Sequence, residues 1–484
     1  MIRSYDQNQN FLLPPSLHDF IPASHPAHLI NDLVEKMDTQ FLKDRYGPLG
    51  QPAYDPTLMI KVILYGFTVG IFSSRKLQRA TQENMAFKYL AAMETPAFKT
   101  FIEFRQRHRE DMKKIFLQTV KLAKNMGLVR LGSVALDGTK IEANASKHKA
   151  MSYGRMLEEE KRLQEEIEGL LKSADKADQE EDKEHGPGQD GFSLPEELAF
   201  KEARLKKIQE AKEALEERER KEHPDDDIDP KKQVAFADTQ ARCFSKNSEG
   251  TKYIYNSQAA VDMESQIIVE NHIEESVSDA HAAKEALREI KQDLGETPKN
   301  LVTDAGYAPT ATLKACQDEG VTPICAVGRE AQETEPEKLD SFLYDERQNQ
   351  FTCPHGNLFV FDHEAQCRWL VYQTLHPIDC ICGGFIFKKS HRQSLRVSKA
   401  HVAKRKLKAI MQEDGHRKLY ARRKTTIEPV FGQIKQAMGF RRYFYRGAQR
   451  VRSEWNIVCA ALNLRKMARV LNNSQKISIA VATG

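Results

Sequence analysis

Residues 155–230 hold 26 acidic and 14 basic side chains, and this block limits what the 484-residue chain can fold into. So charged a segment cannot enter a core, so it is solvated on most of its surface. Its few apolar residues fall at helical spacing: Leu163, Ile167 and Leu170, then Leu198, Leu205, Ile208 and Leu215 beyond the breaker EHGPGQDGFSLP. The pattern predicts an antiparallel helical hairpin with a disordered tip, ended by HPDDDIDPKK and inserted over 150–235. The hairpin serves either self-association or merely a solvated surface. The flanking chain must then supply the cores.

The formal net charge of +4 conceals an asymmetry. Outside 155–230 the chain carries 59 basic and 43 acidic residues, and 386–450 alone sets 19 Lys and Arg against Glu413, Asp414 and Glu428. A basic surface of that density suits a polyphosphate, because each neutralised DNA phosphate releases condensed counterions. No run approaches the roughly 18 apolar residues of a membrane span, which argues against a membrane protein. The start, MIRSYDQNQNFLLPP, lacks the basic-then-apolar order of a secretory signal, and eight cysteines are too sparse for a disulfide scaffold. A cytoplasmic, nucleoid-associated protein is expected.

Residues 1–128 read as an all-α N-terminal domain. Asp55–Gly70 is an apolar helix with an Asp cap and Pro at its first position. After a short turn, Ser73 and Ser74 can cap a basic helix, RKLQRATQEN. That is the layout of a helix-turn-helix, which would turn Arg75, Lys76 and Arg79 toward DNA phosphates, although a plain helical bundle reads the same way. A longer helix, Phe98 to Met126, is expected to expose Arg105, Arg107 and Arg109. From 129 to 472, β-type runs alternate with helices: RLGSVALDGTKIE, TKYIYNSQAAVD, SQIIVENHIEE, a helix from Ser278 to Leu294, LVTDAG and VTPICAV. The alternation indicates an α/β domain, a mixed sheet flanked by helices. Within it, 328–414 reads as an irregular, Cys-containing basic insertion. Helices at about 415–438 and 452–472 precede a short tail, 473–484.

Three carboxylates stand out. Asp137 ends the apolar run VALDGTK, and Asp304 ends LVTDAGY, each with a glycine close behind. Residues at the carboxyl ends of strands point into the crevice of an α/β sheet. Glu428, in TTIEPVFGQIK, reads as the first turn of a helix capped by Thr425 or Thr426, where Pro429 loses no internal bond and the helix dipole favours the ionised acid. Cleaving a phosphodiester needs an activated water and a stabilised leaving oxygen, which two divalent ions held by carboxylates supply. A lone strand-end Asp is usually a cap. The motif Tyr420-x2-Arg423-x4-Glu428-x6-Lys435 weighs against that reading here, since seven residues set Glu428 and Lys435 on one helical face.

These residues resemble insertion-sequence transposases of the DDE class that carry a Tyr-Arg-Glu-Lys signature. The likeness runs from an InsH-like N-terminal region through LDGTKIEANAS, YNSQAAVD, TDAGY, IEPVFGQIK and GFRRYFYRG to the closing helix with Trp455 and Asn463. It implies an RNase H-like catalytic core with Asp137 on the first strand, Asp304 on the fourth and Glu428 on a late helix. The three acids would hold two Mg²⁺ (or Mn²⁺) ions, and activity would favour neutral to mildly alkaline pH. Lys435, Arg423 and Tyr420 would position DNA. The family usually has three residues between the Arg and the Glu, whereas four stand here; Lys424 has the family spacing and Arg422 is close, so any of these cations can be the phosphate grip. The partners implied are double-stranded DNA, as terminal inverted repeats and target, and a second copy of the chain in the active complex. The rival functions are a catalytically silent DNA-binding regulator and a metal-dependent nuclease without strand transfer.

Arg441, Arg442, Tyr443, Tyr445 and Arg446 form a basic-aromatic cluster suited to DNA. Cys353, His355, Cys367, Cys380 and Cys382 either bind a structural Zn²⁺ or are plain thiols, their C-x-H and C-x-C pairs being irregular for zinc. Asp238 and Asp279 read as exposed loop residues, with assistance to the carboxylate site as the lesser alternative, and Tyr307 as either a core residue or a platform for a distorted base.

Overall fold

Aspartate and proline side by side start the first long helix where the chain predicts it. In the computed structural model, Asp55 accepts a hydrogen bond from the Thr57 amide and Pro56–Thr68 is helical. The structure describes residues 16–482 except 48–51, 147–148, 186–195, 223–225, 247–249, 327–338, 340, 366–368, 376–385 and 390–391. Among the described residues between 17 and 125 every regular element is a helix. The basic helix is Ser74–Glu83, following a turn in which Gly70 takes φ +82°, with a Cβ position only 2.8 Å from the Met438 carbonyl. A side chain there would meet both strain and backbone.

The expected helix from Phe98 to Met126 is two, Phe98–Arg107 and Asp111–Asn125. Buried His108 breaks it: its Nδ1 meets Asp111 at 3.2 Å and its Nε2 meets the Tyr46 hydroxyl at 3.0 Å. Arg105 is not exposed. It is buried, and both terminal nitrogens donate to the Phe72 carbonyl at 3.1 Å.

The central mixed sheet has six strands, numbered here within the sheet: β1 (Ser133–Glu142), β2 (Arg242–Lys246), β3 (Gly250–Asp262), β4 (Ile268–Glu274), β5 (Asn300–Thr303) and β6 (Thr322–Cys325). The order β3-β1-β5-β6 is antiparallel at the first pair and parallel at the next two, while β2 and β4 pair with successive halves of β3. At the turn before β4, Asp262 Oδ1 accepts the Glu264 and Ser265 amides. The helix Ala448–Ala482 carries on past 472, where a tail was expected. It seals the sheet: Trp455 Nε1 donates to the Gln258 carbonyl, and the Asn463 side chain bonds both the amide and the carbonyl of Ile268. The same core joins these elements to the helices of the first 125 residues.

The charged block is a helix pair, Tyr153–His185 and Glu196–Glu222, closed on Leu163, Ile208 and Leu215 and based on a two-stranded ribbon, Ala150–Ser152 with Gln233–Ala235. Its expected disordered tip falls outside the described residues. The segment read as irregular is instead a six-stranded antiparallel sheet between Leu343 and Ser398, followed by a helix, Lys399–Ile410. Its strands are short and partly exposed, with a small core of Phe351, Phe359, Tyr372, Leu395 and Val397, so no long apolar run marks it.

Candidate active site

The parallel pairing of β1 with β5 brings two aspartates level. It runs Ser133↔Asn300, Val134↔Leu301, Ala135↔Val302, and two further steps set Asp137 beside Asp304. β1 itself continues to Glu142 against β3, so Asp137 lies within its strand rather than at its end; what ends there is the parallel neighbour. That is where a crevice opens. Asp137 Oδ1 accepts the Gly138 amide at 2.8 Å, and Oδ2 accepts Arg423 Nη1 at 3.1 Å. Asp304 Oδ1 accepts the Gly306 amide at 2.8 Å. Burial, opposed by Arg423 and reinforced by Asp304 and Asp279, pushes the Asp137 carboxyl up to about 6.

Arg423 comes from the helix Asp414–Gly432, which places Glu428 near the carboxyl end and not in a first turn. The run KLYARRKTT contains no breaker, so the helix starts well upstream. Thr425 and Thr426 do not cap; both hydroxyls donate back to the Arg422 carbonyl. Pro429 sits inside the helix and cannot bond the Thr425 carbonyl, which accepts Gln266 Nε2 at 3.3 Å instead. The helix dipole at this end does not favour an anion, contrary to the expectation. Ile427, Val430, Phe431 and Ile434 turn to the core, and Glu428 is exposed. A π-turn, Gln433–Ala437, then changes the phase, so Lys435 is not carried on a regular two-turn repeat; its Nζ donates to the Lys140 carbonyl at 3.1 Å. Among the described residues no group of three or more His, Cys, Asp or Glu could hold a metal. The structure thus brings Asp137, Asp304 and Arg423 together, with Glu428 exposed further along the helix that bears Arg423.

Tyr420 is half-buried beside Arg423, with burial raising its hydroxyl. Arg422 donates to the Met263 carbonyl at 3.4 Å, and Lys424 is exposed. Arg441, Arg442 and Arg446 are exposed but hold main chain: Arg441 bonds the Lys435 carbonyl, Arg442 that of Ala143 and Arg446 that of Asn144. Tyr443 is buried, its hydroxyl 2.6 Å from that of Ser257. Arg79 pairs with Glu83, and Arg75 lies 4.8 Å over the Phe98 ring. Tyr307 is fully buried and donates to Gln258 Oε1 at 2.6 Å, so it offers no face to a base. Asp238, read as an exposed loop residue, is buried and accepts the Tyr255 hydroxyl. Cys353 is buried and His355 exposed; Cys367, Cys380 and Cys382 lie outside the described residues. Sequence reasoning sent Arg423 to a phosphate and missed its pairing with Asp137, for which the linear chain carries no signal.

Residues 222–464 match the family model described as "Transposase DDE domain", and residues 15–107 match "Transposase domain (DUF772)". No curated protein matches. Among solved structures, a piggyBac transposase synaptic complex with hairpin DNA is similar at 10% identity and a TM-score of 0.31, covering 94% of this chain and 76% of that one. That likeness is too slight to bear on the fold. No helix among the described residues is long and apolar enough to cross a membrane.

Proposed function

The chain belongs to the insertion-sequence DDE transposases, and from that premise we propose that it cuts DNA at the ends of its element and joins the freed 3′ ends to target DNA. The observation that carries the proposal is the pair of carboxylates, Asp137 within β1 and Asp304 just past the end of β5, set level by the parallel register of the two strands. The strand order, with antiparallel partners on one side of β1 and parallel ones on the other, supports an RNase H-like core with Asp304 just past the fourth strand of that core.

The donor set fits a hard divalent cation, Mg²⁺ or Mn²⁺. Two carboxylates in one crevice repel, and a guanidinium already offsets the charge of the half-buried Asp137. Asp137 and Asp304 would hold the metal, with Glu428 the proposed third ligand. Bound there, a pair of ions supplies an activated water and stabilises the leaving oxygen. Arg423, Tyr420 and Lys435 position the DNA around the cut. Residues 1–128 form the DNA-binding domain, docking by the helix Ser74–Glu83, with 129–472 catalytic and the segments 150–235 and 328–414 inserted in it. The active species is a homodimer holding both element ends.

Incubating wild type and Asp137→Ala with Mg²⁺, an element-end duplex and target DNA tests this reading. Joined products from wild type alone are expected. Cleaved but never joined DNA would favour a nuclease, and equal inertness of both proteins a silent regulator. Exposed Lys424 gives a second test. Lys424→Ala should weaken duplex binding evenly across sequences and lower the salt slope of log K by about 1. An unchanged slope removes Lys424 from the DNA interface.

A further inference from the structure

One polar cluster beside Asp137 is left unused by that reading. Asp279, in the loop after β4, is half-buried and accepts bonds from three residues. Lys140 Nζ lies 3.0 and 3.3 Å from its two oxygens, and Asn256 Nδ2 and Gln258 Nε2 reach Oδ1 at 2.8 and 2.6 Å. Three of these contacts fall on Oδ1 and one on Oδ2, so the carboxylate is committed to the side chains around it. The donors lead outward to the parts of the site. Lys140 follows Asp137 by three residues, and its carbonyl accepts Lys435 Nζ. Gln258 accepts the hydroxyl of Tyr307, three residues after Asp304. The cluster also presses on the residue next to Asp137: a Cβ on Gly138 would stand 2.4 Å from Asp279 Oδ1 and 2.3 Å from Gln258 Nε2. Glycine is what lets the carboxylate come so close to the strand.

We infer that Asp279 is a positioning residue for the catalytic crevice: one carboxylate, outside the proposed metal ligands, fixes the strand that bears Asp137, the turn that bears Asp304 and, through Lys140, the ammonium of Lys435. It touches neither metal nor DNA. An outer partner of this kind sets the orientation of the ligands, and its loss commonly costs about 10–100-fold in activity or metal affinity. The inference rests on Asp137 and Asp304 being the reacting centre, so its test needs a readout that does not depend on turnover.

The experiment compares full-length wild type, Asp279→Asn and Asp279→Glu by cleavage of an element-end duplex in Mg²⁺ and by amide hydrogen exchange. For Asp279→Asn, kcat should fall about 10–100-fold with KM for the duplex unchanged. Exchange should quicken over 137–141 and 304–307 while the Ala448–Ala482 helix keeps its protection, and Asp279→Glu should recover part of both. Wild-type exchange over 137–141, a uniform loss of protection across the chain, or a rise in KM at constant kcat would each overturn the inference. If wild type itself proves inert on DNA, the transposase reading fails, while the exchange pattern still judges Asp279.

Discussion

Glu454→Ala is expected to destabilise the protein by about 3–5 kcal/mol, the usual cost of stripping one partner from a buried charged network. Glu454 is wholly buried on the closing helix. Its carboxylate accepts the amides of Phe444, at 3.0 Å, and Tyr445, at 3.3 Å, and faces the charge of buried Arg105. Burial outweighs these partners and pushes the carboxyl up to about 7. Alanine would orphan two amides, leave Arg105 without its counter-charge and open a cavity. The damage is not local in its consequences, because the amides belong to the segment whose Arg442 and Arg446 hold the main chain of 143–144 after β1. Loss of Glu454 would therefore loosen the basic segment from the strand that bears Asp137. Urea unfolding at pH 7.5 measures the effect. A loss under about 1 kcal/mol would show that water replaces the carboxylate cheaply, and the coupling between the helical region and the crevice would have to be abandoned. Glu454→Gln separates the contributions: the carboxamide oxygen can still accept an amide, so a smaller loss than for alanine is expected.

How much of this was legible in the chain depends on whether the deciding contact is local. Asp55 and Pro56 announce a helix by their own chemistry, and the strands of the central sheet announce themselves as apolar runs, so both were read correctly in kind. The break at His108 was not legible, because it is made by Tyr46 and Asp111 closing on a buried imidazole. Nor was the buried state of Arg105, which depends on a carbonyl 33 residues away. The antiparallel sheet over 343–398 was hidden because its strands bury only a few side chains each. The site divides in the same way. Asp137 and Asp304 came from strand-end patterns, a local signal. Glu428 was placed at the wrong end of its helix because a proline usually marks a start, and the amide that compensates Pro429 belongs to Gln266, far away in sequence. Asp279 stood out only as a loop acid; its meaning lies in three donors from two strands.

In metal-free protein, the stability of Asp137→Asn relative to wild type should rise by about 2.4 kcal/mol between pH 4 and pH 7. The sign follows from the direction of the shift. Asp137 is raised from 3.8 to about 6, burial being the main cause. Between those values the folded wild type binds a proton that the unfolded chain has released, so wild-type stability falls as pH rises through the window. Below about 4 both states are protonated, above about 6 the full penalty is present, and asparagine escapes it at every pH. The absolute offset between the proteins also contains the lost bond to Arg423, but that bond alters the level and not the width of the window. Divalent metal should act on wild type alone. Saturating Mg²⁺ or Mn²⁺ at about 100 times its dissociation constant would add about 2.7 kcal/mol, returning most of what ionisation removes, and would displace the guanidinium from Asp137. Urea titrations at pH 4.5, 6 and 7.5, with chelator and with Mn²⁺, read both effects without any DNA. If the gap between the two proteins stays constant across that range, burial does not penalise the ionised Asp137. Should Mn²⁺ stabilise both equally, the cation binds elsewhere and the metal-centred mechanism loses its first ligand.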